Sequence, residues 1–460
     1  MPSDLLSSLE GVPGFDRAAF IKAHASDLRV HSIRLNPQKM PALPVEFEAQ
    51  AEKVPWSTLG YYLSERPSYT FDPLFHAGAY YVQEASGMFL EQALRQTADL
   101  RQPLRILDLC AAPGGKSTLL QSLISSESLL VSNEAIRSRV AILRENLMKW
   151  GAANTIVIHN DPREIGKMEN YYDVMVVDAP CSGSGLFRRD PEATGEWSVD
   201  SVRACNLRQQ RILADSWPAL RKDGVLIYST CSYSREEDEG ILDWAMTQFE
   251  AEGLRLQIDP SWHIVETTGQ TGGYGYRFFP DKLKGEGFFL AAWRKKSGNA
   301  FHYPRSRGSA LVRPSRQEED QARAHIDRRR SLTFFRQDEN LCCIPAEFGE
   351  DLTFLRACAW VKSAGVQAGR QAGKDFVPAH DLALSGLINQ EWPAIDLSKD
   401  EAISYLRKEE MSLTPDEAGK GKNKGWRLVR YRGHNLGWAK MLTGRINNYY
   451  PKELRILKRN

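Results

Sequence analysis

From Leu104 onward the chain alternates short apolar runs with longer stretches of helical spacing, and that alternation leaves few architectures open. Leu104–Leu109, Leu129–Val131, Thr155–Ile158, Val174–Val177 and Gly224–Ser229 read as strands buried on both faces, because their apolar runs are nearly unbroken. Ser117–Ile124, Ile136–Trp150, a long stretch near Val199–Leu220, and Glu236–Phe249 carry helical spacing. On the second of these, Ile142, Leu143, Leu147 and Trp150 share a face and Gly151 marks the stop. Phe288–Trp293 reads as a final strand. Such a chain builds a parallel α/β sheet, and sheets of that kind take their ligands at the carboxyl ends of the strands. Ahead of it, VHSIRL (Val30–Leu35) alternates like a half-buried strand and stops at Asn36-Pro37.

A chain of 460 residues suggests about three domains. The expected divisions are 1–95, a catalytic unit at 96–296, an exposed basic linker at 297–330 and a second globular unit at 331–460. Seven cysteines are too few, and odd in number, for a disulfide scaffold. The N-terminus MPSDLLSSLEGVPGF lacks a secretory pattern, and no apolar run reaches the ~18 residues of a membrane span. A soluble cytoplasmic protein in a reducing compartment is therefore expected. The net charge of +2 conceals an asymmetry. Lys420–Asn460 holds 12 Lys and Arg against Glu453 alone, leaving 48 basic and 57 acidic residues elsewhere. A basic tail on an acidic body points to a polyanionic partner, RNA or DNA.

LDLCAAPGGKST places Cys110, Ala111, Ala112, Pro113, Gly114, Gly115 and Lys116 between a strand and a helix. Two glycines permit close backbone approach, and the helix start offers free N–H groups. The stretch misses the GxGxxG fingerprint but comes near a P-loop, with MVVD (Met175–Asp178) able to pass for a Walker B strand. Cys110 stands where that motif needs Gly, and Pro113 removes a cradle N–H. Glu134 at the second strand's end suits ribose hydroxyls, and Asp161 after the third suits an adenine amino group. Three acids, Asp108 included, favour a cationic cofactor such as S-adenosylmethionine over a triphosphate.

DAPCSGSG puts Cys181 behind Asp178 at one strand end, and YSTCSYSREEDE puts Cys231 at another, so both thiols should face the cofactor crevice. Carbon 5 of a pyrimidine is a weak nucleophile until a thiolate adds at carbon 6. An acid at N3 stabilises that adduct, for which Asp178 is suitably placed, and a base or second thiol helps release the product. Lys116 could supply the electropositive setting a thiolate needs. This chemistry leaves open which cysteine attacks.

These three motifs, with SIRLNP near residue 30 and YYVQEASGMF at 80–89, resemble the signatures of the Sun-family RNA cytosine-5 methyltransferases. The resemblance implies a Rossmann-like S-adenosylmethionine-dependent methyltransferase core with a small N-terminal α+β domain, family-specific and RNA-binding, at 1–95. It implies Cys231 as nucleophile and Cys181 as the product-release thiol. It also implies Cys110–Lys116, Glu134, Asp161 and Asp178 as cofactor or active-site contacts, with Arg139 close by. DNA cytosine-5 methyltransferases use the PC cysteine to attack, so that assignment is the one to challenge.

PAHDLALS, EAISYLRKEE, GWRLVRYRGHNLGWAK and NNYYPKELR resemble the tail of the bacterial small-subunit rRNA methyltransferase F group, which implies a C-terminal PUA-like RNA-binding domain and 16S rRNA in the small ribosomal subunit as partner. In that tail Trp426, Tyr431, Trp438, Tyr449 and Tyr450 interleave with Lys424, Arg427, Arg430, Arg432, Lys440 and Lys452. Aromatics in strands are more often core than base-stacking platforms, so the cations are the stronger candidates for RNA contact. Cys342-Cys343 reads as packing, and no metal is expected. The competing readings are a tRNA methyltransferase, a P-loop nucleotidase and a non-catalytic RNA-binding assembly factor.

Overall fold

The computed structural model describes residues 1–460 except 27–28, 45–49, 305–310, 374, 412–423 and 459–460. Four antiparallel strands open it: β1 (His31–Leu35), β2 (Ala51–Lys53), β3 (Gly60–Leu63) and β4 (Tyr80–Val82), in the order β2-β3-β1-β4. The large sheet that follows contains β5 (Arg105–Asp108), β6 (Leu129–Asn133), β7 (Thr155–Ile158), β8 (Tyr172–Asp178) and β9 (Leu220–Thr230). These five are parallel in the order β7-β6-β5-β8-β9. Beyond β9 the sheet turns antiparallel through β13 (Phe288–Lys295), β12 (Tyr274–Phe278) and β11 (Val265–Thr268), with β10 (Ala251–Gly253) also on β13.

The unbroken apolar runs have a direct cause. Leu107, Val131, Met175, Val177 and Leu226 fill a core on one face, while Ile106, Leu130, Val174, Val176 and Ile227 fill another on the opposite face. The helix Arg137–Trp150 ends at Gly151, whose φ is 87° and where a Cβ would lie 2.4 Å from the Leu384 carbonyl. Its buried residues are Val140, Leu143, Leu147 and Trp150; Ile142, expected on that face, is exposed. The long helix stops at Ser216 because Pro218 follows, with a 3₁₀ turn carrying the chain to Leu220.

The C-terminal segment forms two more sheets. β14 (Leu332–Gln337), β15 (Asn340–Pro345), β17 (Val366–Ala372) and β18 (Asp375–Pro378) make one. β19 (Ala394–Asp396), β20 (Gly425–Tyr431), β21 (His434–Leu442) and β22 (Arg445–Asn448) make the other. The strand between them in sequence, β16 (Val361–Ala364), leaves this region and pairs antiparallel with β7. The edge of the large sheet is therefore completed from within the segment 331–460. Part of the expected linker at 297–330 forms a helix. Ser315 caps a helix at Arg316–Arg323 with a reciprocal Glu318 bond, and Ala322 and Ile326 are buried. Arg105 donates to Tyr303, whose hydroxyl donates to Asp351. Residues 305–310 of that stretch lie outside the described residues. Cys342 and Cys343 are buried in β15, in separate cores.

Candidate active site

Ser117, in the first turn of the helix Gly115–Leu123, donates to Asp108 at 2.6 Å and lies 2.8 Å from the Ser132 hydroxyl, tying the helix to the ends of β5 and β6. Gly114 sits ahead of it at φ 113°, a conformation that suits glycine. Glu134, closing β6, accepts from the Ala112 amide at 3.3 Å and the Ile136 amide at 2.8 Å. Arg139 reaches Glu134 at 3.6 Å and also bonds the Ala112 carbonyl. Asp161 follows β7, is exposed, and accepts from the Arg163 amide at 3.0 Å as the cap of a short helix.

The loop's surroundings are acidic. Asp108 is fully buried and its Oδ1 has no hydrogen-bond partner among the described residues. Burial raises its pKa to about 7, helped by Asp178 and Glu134 and opposed by Ser117 and Lys116. Burial and the same three acids push the Cys110 thiol well up. Lys116 makes a 2.6 Å ion pair with Asp178. Burial would lower the lysine's pKa, but Asp178, with Asp108 and Cys231, outweighs it and the net shift is upward. With that ammonium already paired to Asp178 and Arg139 engaged by Glu134, a triphosphate here would find acids and, among the described residues, no free cation beside the loop, which argues against the P-loop reading.

The two expected cysteines come together. Cys181 follows β8, Cys231 follows β9, and their sulfurs are 3.0 Å apart. The hydrogen bond to Cys231, burial, and the nearby Glu237 all raise the Cys181 pKa, so that thiol keeps its proton. Asp178 accepts from Ser229 at 2.8 Å while holding Lys116, and the lysine's charge acts on Cys231.

Glu237, Asp238 and Arg34, which sequence reasoning passed over, hold the site together. Glu237, buried behind both loops, accepts from the Ser182 amide at 2.9 Å, the Ser182 hydroxyl, the Ser232 hydroxyl at 2.7 Å and Gln209 at 3.0 Å. The acidic run REEDE right after the TCS motif was the available signal. Next to it Asp238 pairs with buried Arg277 at 3.1 Å and accepts from Thr230 at 2.7 Å. Arg34, in SIRLNP, is buried in the N-terminal sheet yet donates to Thr118 Oγ1 at 2.6 Å, Ser122 at 2.8 Å, the Thr118 and Gly115 carbonyls, and Gln83 at 2.7 Å. Its guanidinium also stacks on Trp150 at 4.6 Å. An arginine inside an alternating strand, just before Asn-Pro, was the only clue.

A family profile described as 16S rRNA methyltransferase RsmB/F matches residues 96–294. A profile for the N-terminal domain of 16S rRNA methyltransferase RsmF matches 1–85, and one for the methyltransferase RsmF PUA domain matches 393–456. Ribosomal RNA small subunit methyltransferase F of Salmonella agona is 30% identical over 454 residues, covering 95% of this chain and 92% of its own. The chain belongs to that family. The Enterobacter sp. member of the methyltransferase F family is 29% identical over 485 residues, covering 98% and 95%. Among solved structures, a methyltransferase homolog from Pyrococcus horikoshii is 28% identical with a TM-score of 0.50, covering 64% of this chain and 100% of its own. NSun6 from Pyrococcus horikoshii, solved with SFG, shares the fold at 18% identity and a TM-score of 0.53, covering 64% and 98%.

The family's PUA domain falls on β19–β22. Within it Trp438, Tyr431 and Tyr450 are buried and belong to the core, while Tyr449 is exposed and packs edge-on against Trp426. Of the cations, Lys440 is engaged by Asp375 at 3.2 Å and Arg430 by Asn435 and Gln390. Lys424 and Lys452 are exposed. Lys420 and Lys422 lie outside the described residues. Among the described residues no cluster of His, Cys, Asp and Glu could hold a metal, and no helix is long and apolar enough to cross a membrane.

Proposed function

We propose that this chain methylates carbon 5 of a cytosine in 16S rRNA, with S-adenosylmethionine as donor and Cys231 as nucleophile. The observation that carries the reading is the pair of sulfurs 3.0 Å apart at adjacent strand ends, beside the Lys116–Asp178 ion pair. The acids around Cys110–Lys116 suit a sulfonium, and the partnerless Asp108 oxygen is consistent with a polar ligand. Cys110, Ala111, Ala112, Pro113, Gly114, Gly115, Lys116, Glu134, Asp161 and Asp178 would hold it, together with Asp108. When bound, S-adenosylmethionine supplies a methyl electrophile for carbon 5.

The protein's own residues supply the rest. The Cys231 thiolate adds to carbon 6, and the displaced electron pair makes carbon 5 nucleophilic. A proton passed to N3 by way of Asp178 takes up the charge that develops there, with Lys116 keeping the carboxyl oriented. After methylation the carbon 5 proton leaves to a base, the carbon 6–sulfur bond breaks and the ring is restored. Cys181, holding a proton beside the attacking sulfur, assists the departure of Cys231. A cytoplasmic location follows from the substrate.

Covalent trapping tests the roles, using small ribosomal subunits with S-adenosylmethionine. Cys181→Ala should accumulate a denaturation-resistant protein–RNA adduct, and Cys231→Ala should form none. The reverse pattern would exchange the two roles. Transfer to tRNA but not to subunits would replace the substrate, and RNA binding with no methyl transfer would leave an assembly factor.

A further inference from the structure

Between the N-terminal sheet and the loop that follows Cys181 lies a cleft of about 830 Å³ that no step above uses. That volume accommodates a ligand of roughly nucleotide size or somewhat larger. Arg29, Arg66 and Arg189 line it, and all three side chains are exposed. The charges of Arg29 and Arg66 reach His31, whose pKa is lowered by burial and then by both of them. The cleft is therefore positive along its rim. Its walls are different. Three buried polar atoms there have no hydrogen-bond partner among the described residues: His24 Nε2, the Tyr69 hydroxyl and Glu286 Oε2. Glu286 is only 7% exposed and is ion-paired to Arg188 at 4.0 Å, a separation that leaves its Oε2 without a hydrogen bond. Buried polar groups normally find partners, so three lining one cleft mark a surface built for a polar ligand.

The cleft shares a wall with the thiols. Gly185 donates to the Cys231 carbonyl at 2.8 Å, and Phe187 and Arg189, a few residues on, line the cleft. From the other side, Gly287 donates to the Gly185 carbonyl at 3.0 Å, and Glu286 directly precedes it. A strand whose target base sits at the sulfurs must continue past this wall. Cations spaced around a groove with base-reading groups inside are what a single strand requires.

We propose that this cleft holds the unpaired RNA beside the methylated nucleotide, with phosphates on Arg29, Arg66 and Arg189 and a base edge on Glu286 and Tyr69. The inference rests on the methyltransferase reading above, and it assigns the flanking strand to the N-terminal side of the catalytic unit instead of to the basic tail.

The test uses the full chain carrying Arg29→Ala, Arg66→Ala and Arg189→Ala together, with a fluorescein-labelled unpaired RNA of about 12 nucleotides as probe. Single-stranded contacts give a salt slope of about −0.7 per phosphate, so losing three should flatten the log–log slope by about 2. Affinity at moderate salt should fall about 30- to 100-fold. S-adenosylmethionine affinity and kcat should stay within about twofold while KM for RNA rises. An unchanged slope and affinity would overturn the proposal, and so would an equal loss with duplex RNA of the same length. Should the triple variant also lose S-adenosylmethionine binding, Glu286→Gln, which preserves shape, decides. It should reorder affinities among probes differing at the flanking nucleotides, and an unchanged order overturns the base contact. Wild-type protein that binds the probe with the full slope but methylates no RNA would sink the methyltransferase reading and leave the cleft standing.

Discussion

Replacing Asp108 with Asn removes one ionisable group from the crevice floor and keeps its shape, including the acceptor for Ser117. The folded carboxyl titrates at about 7 because burial, then Asp178 and Glu134, outweigh Ser117 and Lys116; its ordinary value is 3.8. A folded pKa above the unfolded one means the native state binds the proton more tightly. That contribution is fully present below about pH 4 and is lost as pH rises through about 7. Roughly three units at about 1.4 kcal/mol each gives an upper bound of ~4 kcal/mol, and water penetration with local relaxation brings it to ~2 kcal/mol. Urea unfolding of wild type and Asp108→Asn across this range measures it. The variant should gain about 2 kcal/mol on wild type between about pH 4 and about pH 8. Two stability curves that run parallel would refute the reasoning, because Asp108 would then be ionised in the folded protein at its ordinary pKa.

Glu237→Ala strips an acceptor from four donors and should cost about 3–5 kcal/mol, visible as a fall in Tm and as loss of adduct formation. Glu237→Gln should lose less. Arg34→Lys keeps the charge but not the fork that spans Gln83 and the helix at Gly115–Leu123, so equilibrium dialysis should show S-adenosylmethionine binding weakened about tenfold. A Kd within about twofold of wild type would show that the N-terminal sheet does not support the cofactor loop. Gly185→Ala would set a Cβ 2.4 Å from the Gly287 carbonyl and 2.7 Å from the Cys231 carbonyl. Overpacking of that kind costs about 1–3 kcal/mol, and methyl transfer should drop while S-adenosylmethionine binding holds.

What the sequence disclosed was local. Strands buried on both faces write themselves as unbroken apolar runs, and the motifs around Cys110, Cys181 and Cys231 each fit within a dozen residues of a strand end. What it hid was long-range. Glu237 bonds Ser182 across 55 positions, and Arg34 bonds Thr118 across 84, so neither partnership leaves a local pattern. Ile142 and Val140 both fit a helical stripe beside Leu143, and only the packing chose Val140. The stretch 297–330 read as linker for its charge, since the burial of Ala322 and Ile326 depends on surfaces that arrive from later in the chain. The same holds for β16, a four-residue strand with a Lys and a Ser in its middle. Nothing in VKSA announces a partner two hundred residues upstream.

That strand bears on how the molecule is made. During synthesis β7 leaves the ribosome about two hundred residues ahead of β16, so a nascent chain carries the large sheet with one rim unpaired for the time it takes to translate that interval. At about 5–20 residues per second this lasts some 10–40 seconds, long enough for another extended segment to dock there. Stopping the chain at 296 would make the interval permanent. In this chain the catalytic unit and the C-terminal segment that completes its sheet are thus expected to express and be engineered best as one piece.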